Sequence, residues 1–153
     1  MKSSDELRAA EEFLHAEIPL TRAMGVRVLP HSSGFAIEAP VALNHNHLHT
    51  AFGSSINSVA TLAGYAFLWL ELRDVDAHLV IRESSIHFVR PVRARIHAVC
   101  TPPGEEQLAT FTAALRRDGK GRIAIQVLVE EDGALAARFT ATFVGVMNSA
   151  TKR

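Results

Sequence analysis

The sequence predicts an α+β fold in which one long, almost wholly apolar central helix is wrapped by a curled antiparallel β-sheet. Three observations predict it. Residues 51–70 contain no Asp, Glu, Lys or Arg. Five or six other segments alternate apolar and polar residues at the two-residue period of strands. The last two are joined by a tight turn at residues 131–133, which implies antiparallel neighbours. At 153 residues the chain suits a single domain over 1–153 with its core at about 7–146. Hydrophobic residues make up 48% of the chain against 21% charged, enough to bury a real core and to argue against disorder.

The elements follow in order. Leu7, Leu14 and Ile18 recur at helical spacing, predicting an amphipathic helix over about 5–16, with Ser4 as its cap and Pro19 marking its end. Residues 26–29 and 35–39 read as the two strands of a hairpin, with Pro30-His31-Ser32-Ser33-Gly34 supplying the turn. Residues 41–50 are dense in Asn and His, lack a period, and read as a loop.

The long helix is predicted from about 54 to 72. Ile56, Val59, Ala60, Ala63, Ala66, Phe67 and Leu70 share one face, and Leu62, Tyr65 and Trp69 leave little polar surface opposite. Strands are expected at 78–89, 95–101, 122–129 and 135–146, with a helix ending near Arg117. The polar tail over 148–153 is expected to fray.

Several function classes are disfavoured. Sixteen basic residues balance sixteen acidic ones, which leaves no electrostatic footprint for nucleic acid or an anionic membrane. Cys100 is alone, so no disulfide framework or multi-cysteine zinc site can form within the chain. No apolar run follows Lys2, so no secretory signal is expected, and a cytoplasmic location fits. Residues 51–70 are long enough to cross a bilayer. They include Ser54, Ser55, Asn57, Ser58 and Thr61 and lack a flanking basic cluster, so a buried helix is the expectation. No phosphate loop, dinucleotide fingerprint or serine-nucleophile elbow is present.

Three separated segments carry a family resemblance. The first is Phe13-Leu14-His15, then Ile18-Pro19-Leu20-Thr21 and Met24-Gly25-Val26. The second is Ala39-Pro40, then Asn44-His45-Asn46 and Thr50-Ala51-Phe52-Gly53-Ser54-Ser55. The third runs from Val80-Ile81 through Ile86-His87-Phe88 to Arg90-Pro91-Val92. In this order and spacing the chain resembles the bacterial thioesterase family typified by the YiiD C-terminal domain, within the hotdog-fold superfamily. The resemblance implies acyl thioesters of coenzyme A or acyl carrier protein as substrates, with no cofactor beyond the coenzyme A of the substrate. It also implies a homodimer or dimer of dimers with sites shared between subunits.

Residue chemistry gives that expectation a mechanism. Attack on a thioester builds negative charge on the carbonyl oxygen, which preorganised N–H donors stabilise. A buried helix offers such donors at its N-terminus. Gly53 and Ser54, at the turn that opens the long helix, would let a carbonyl approach the backbone; the alternative is that they only cap the helix.

Laid on the related thioesterase pattern, the Asn position falls at Asn46 and the His-Gly-Gly position at Phe52-Gly53-Ser54. The carboxylate position falls at Thr61, which cannot take a proton as a carboxylate does. The catalytic candidates are therefore Asn46, Gly53, Ser54 and Thr61, with Asn57 as a further group able to hold a water. His45, His47, His49, Glu83 and His87 are candidates for the missing base.

In an extended segment His45, His47 and His49 would face one way, which also admits a zinc or copper reading. No nearby Cys or carboxylate completes that set, and the thioesterases resembled use no metal. Arg90, Arg93, Arg95, Arg116, Arg117, Lys120 and Arg122 could meet coenzyme A phosphates or an acidic carrier, or be solvated surface. Tyr65, Phe67 and Trp69 suit the core or the lining of an acyl tunnel. A noncatalytic acyl-thioester binding domain is the second expectation. A hotdog dehydratase is disfavoured because no paired His and carboxylate follow that pattern.

Overall fold

The computed structural model describes residues 1–149. Helix α1 (Ser4–Glu17) begins where Ser3 and Glu6 exchange hydrogen bonds between side chain and backbone, satisfying two amides that a helix start leaves open. The cap is thus Ser3, not Ser4: only the residue three before Glu6 can share that box. A short helix α2 (Leu20–Ala23), absent from the sequence reading, starts just after Pro19. Strands β1 (Arg27–His31) and β2 (Gly34–Pro40) form the expected hairpin across a two-residue turn. A single 3-10 turn (Val41–Leu43) follows and leads into a loop.

Helix α3 (Gly53–Glu71) is then the centre of the molecule, about 28 Å long by its residue count. Ile56, Val59, Ala60, Ala63, Ala66, Phe67 and Leu70 are all buried, and so is Leu62. Tyr65 and Trp69 are half-buried and stack with Phe13 of α1, the Phe13 and Trp69 ring centres 4.6 Å apart. Strands β3 (Ala77–Phe88), β4 (Arg95–Thr101), β5 (Lys120–Glu131) and β6 (Ala134–Met147) complete the sheet, and α4 (Glu105–Asp118) lies between β4 and β5 in the chain.

All pairings are antiparallel, in the order β1-β2-β4-β5-β6-β3. Ile96, Ala98, Ile123, Ile125, Val127, Phe139 and Phe143 alternate onto the face that receives α3, which makes helix and sheet one hydrophobic cluster. Close approach needs glycine in places. A Cβ at Gly121 would lie 2.9 Å from the Phe111 carbonyl oxygen, so glycine is what lets α4 settle on β5 at this point. Asp132 and Gly133, both at positive φ, make the two-residue turn between β5 and β6.

The start of the polar tail departs from expectation. Asn148 donates through its backbone amide to the Asp76 carbonyl and through its side chain to the Asp76 carboxylate, and its Oδ1 accepts from His78. The expectation for residues 150–153 lies outside the described residues. Among the described residues no helix is long and apolar enough to cross a membrane.

Candidate active site at the start of the central helix

The segment before α3 is held on both sides. Ala51 N–H donates to the Val92 carbonyl at 2.8 Å, and Phe52 N–H donates to the Asn44 carbonyl at 2.7 Å. Asn44 itself is buried and donates through Nδ2 to the carbonyls of Met24 and Pro40. Side chain and backbone carbonyl together let Asn44 tie the α2 end, the end of β2 and the approach to α3. Nothing local in the sequence marks Asn44 for this role; its burial is a tertiary fact.

Phe52 is the N-cap of α3 and offers no side-chain acceptor. Gly53 and Ser54 therefore lie inside the helix and do not cap it. The first α3 amide with an acceptor is Ile56 N–H, 3.1 Å from the Phe52 carbonyl. Among the described residues, the amides of Gly53, Ser54 and Ser55 meet no acceptor. An uncapped helix start gathers partial positive charge.

Of these three residues Gly53 lines an open depression of about 360 Å³, together with Thr50, Ala51, Ile56, Phe88, Val89, Arg90 and Pro91. A Cβ on Gly53 would stand 3.3 Å from the Phe88 ring, so glycine keeps that wall open. The lining holds one cation, Arg90, and no carboxylate. The role of Phe88–Pro91 as the far wall was not read from sequence, although the Arg90-Pro91 pair stood in the third motif.

The other candidates divide. Asn46 is tied into its own loop: Oδ1 accepts from the amides of Leu48 and Thr50, and Nδ2 donates to Thr50 Oγ1. Thr61 is half-buried two turns along α3, with its hydroxyl donating to the Asn57 carbonyl at 2.8 Å. Its proton is committed to the helix backbone, and only its lone pairs remain free. The sequence offered Asn46 and Thr61 as catalytic candidates. The local bonds make Asn46 first of all the brace of residues 46–50.

Among the proposed bases, Glu83 and His87 sit on the sheet face opposite α3. Phe88, one residue from His87, faces α3, and the pleat turns His87 and Glu83 the other way. Within one subunit they do not face the α3 start. His45, His47 and His49 are exposed. Their segment is not extended: it turns tightly, with His49 at φ 60° and His45 bridging Ala51. His45 and His49 rings lie 4.9 Å apart, yet no group of three metal-ligating side chains occurs among the described residues. The turn breaks the one-sided array that a metal reading needed. Cys100 is buried, and burial pushes its thiol up to about 12, so no thiolate nucleophile forms there at neutral pH.

A six-stranded antiparallel sheet curled about a central helix, with free amides at that helix's start, defines a hotdog protein of the thioesterase type. The family model described as putative thioesterase (yiiD_Cterm) matches residues 7–147, and the chain belongs to that family. Solved structures agree. A putative thioesterase from Shewanella oneidensis is 27% identical with a TM-score of 0.85, over 94% of this chain and 99% of that one. A protein of unknown function from Chlorobaculum tepidum is 25% identical with a TM-score of 0.86, over 92% and 94%. A Bacillus halodurans protein solved with CoA is 22% identical with a TM-score of 0.65, over 95% and 93%, a likeness of fold.

Proposed function

We propose that this protein is an acyl-thioester hydrolase acting on acyl groups carried by coenzyme A or acyl carrier protein, and that it works as a homodimer. The observation that carries the reading is the open start of α3: the amides of Gly53, Ser54 and Ser55 lack acceptors beside a depression walled by Phe88–Pro91. A thioester carbonyl seated there accepts hydrogen bonds from Gly53 and Ser54, and water attacks its carbon. The oxyanion collapses, the C–S bond breaks, and the water's proton ends on the departing thiolate. A thiol of pKa about 8.5 leaves without a general acid. Arg90, on the rim, suits a coenzyme A phosphate. The CoA bound by the Bacillus halodurans protein supports the same substrate class.

A second reading, acyl-thioester binding without hydrolysis, is favoured by one observation. The residue in the carboxylate position is Thr61, and its proton is already held by Asn57. A panel of acyl-CoA and acyl-carrier thioesters assayed for thiol release separates the two. Release on at least one substrate is expected; tight binding with no release on any would establish the second reading instead.

A further inference from the structure

At the opposite end of α3 from the candidate active site lies a second concave surface, of about 360 Å³. Tyr65 and Trp69 supply its aromatic wall, Leu72 and Leu79 an aliphatic one, and Arg73 and His78 its charged and titratable groups. At about 1.5 Å of rise per residue, Trp69 stands about 24 Å along the helix from Gly53. The aromatic wall is braced from behind. Phe13 of α1 stacks on Trp69 with ring planes 18° apart, and on Tyr65 with ring centres 6.2 Å apart. Even so, both rings stay half-exposed on a helix that otherwise buries its large apolar side chains.

The charges around this cavity are uneven. Its lining holds no carboxylate. The Arg73 guanidinium lies 5.9 Å from the centre of the Trp69 ring and 3.9 Å from the Glu6 carboxylate, beyond hydrogen-bond length. Glu6 accepts from the Ser3 amide at 2.8 Å through its other oxygen. Glu71 is held by Lys2 at 2.9 Å, and Asp76 by Asn148 at 2.7 Å. The neighbouring acids are thus engaged, and the Arg73 donors stay open to an anion. Burial, and then the charge of Glu17, push the Tyr65 hydroxyl up. That same charge repels an anion from the Tyr65 end, so an anion belongs at Arg73 and an apolar tail along the rings. The volume falls within the roughly 300–1,000 Å³ of small-molecule sites. Aromatic rings for a chain and one guanidinium for a head match an amphipathic acid.

We propose that this cavity binds a free aliphatic carboxylic acid, its alkyl chain against Tyr65 and Trp69 and its carboxylate on Arg73. The reaction proposed above releases such an acid; that source rests on the hydrolase reading, whereas the site does not.

Trp69 is the one tryptophan in the sequence, so its fluorescence reports on this cavity directly. Decanoate, titrated below its micelle concentration, should change that emission saturably. Decanol, which has the tail without the charge, and decyltrimethylammonium, which has the opposite charge, should each bind at least about tenfold more weakly. Hexanoate should also bind about tenfold or more weakly than decanoate, because fewer methylenes are buried. Arg73→Gln, at a side chain 43% exposed, should weaken decanoate by about tenfold or more and leave decanol unchanged. No saturable change with decanoate, equal binding of decanol, tighter binding of the ammonium, or an unchanged constant in Arg73→Gln would each overturn the site. Gly53→Val should leave decanoate binding intact; its loss would place the acid at the α3 start instead. The readout needs no turnover. A protein that binds decanoate yet releases no thiol from any thioester supports the site while removing the hydrolase reading, and one that releases thiol without binding decanoate does the reverse.

Discussion

Gly53 is the position where the proposed chemistry is most exposed to test. It lies in the first turn of α3, and a Cβ there would press on the Phe88 ring and narrow the depression. Gly53→Val is expected to abolish thiol release while leaving the far-ultraviolet circular dichroism and the dimer unchanged. Turnover at the native rate would retire the carbonyl-binding role of the α3 amides. Thr61 gives the complementary experiment. Its hydroxyl is held by Asn57, so it contributes no base. Thr61→Asp adds one, and kcat is expected to rise at least tenfold, within the roughly 10²-fold or more that a positioned base supplies. Asn46 and Asn44 show how similar residues diverge: one braces an exposed turn, the other is buried and holds three segments together.

At the scale of elements, two junctions place the site. One is α4 on β5, where Gly121 lies against the Phe111 carbonyl. Gly121→Ala should destabilise the protein by about 1–3 kcal/mol through overpacking, measured by urea unfolding. The other is the segment from β3 to β4, which supplies the far wall of the depression. Its amides at Arg93, Ala94 and Arg95 all donate to the Glu131 carboxylate at the end of β5. Partial burial pushes Glu131 up, but those amides and the Arg93 charge outweigh it and hold the carboxyl below its usual range. A carboxyl lowered in the folded state stabilises above its unfolded pKa, about 4.3, and that stabilisation is lost as pH falls through the folded value. Glu131→Gln should therefore lower the melting temperature at pH 7, by a deficit that shrinks as the pH is lowered below the carboxylate range, in differential scanning calorimetry. A deficit that does not change with pH would show that the carboxylate charge is not what holds this segment.

For the whole molecule, ligand binding should report on stability. A ligand that binds only the folded state stabilises it by an amount that grows with the logarithm of its concentration, about 2.7 kcal/mol at a hundred times its dissociation constant. Coenzyme A is expected to raise the melting temperature in this way, and Gly53→Val should abolish the rise. An equal shift in both proteins would place coenzyme A away from the α3 start. The sheet also ends unequally, with α1 closing β1 and nothing among the described residues covering β3.

The fold was legible because its signals are local. A charge-free stretch at residues 51–70 can only be a buried helix or a span, and period-two alternation with an Asp-Gly turn leaves antiparallel strands as the arrangement. The family motifs located the α3 start for the same reason: Thr50–Ser55 are contiguous. What the sequence could not decide depends on long-range contact and on facing. Phe88–Pro91 stand beside Gly53 because β3 crosses the α3 start, some 35 residues further along the chain. Glu83 and His87 turn away from α3 because β3's register with β6 shifts between Ile81 and Glu83, and a one-residue slip exchanges the two faces of a strand. Ser3 took the cap from Ser4 because only its distance to Glu6 closes the box. Local pattern alone determined which long elements form and where the central helix begins; the register of the sheet decided which side chains share its open end.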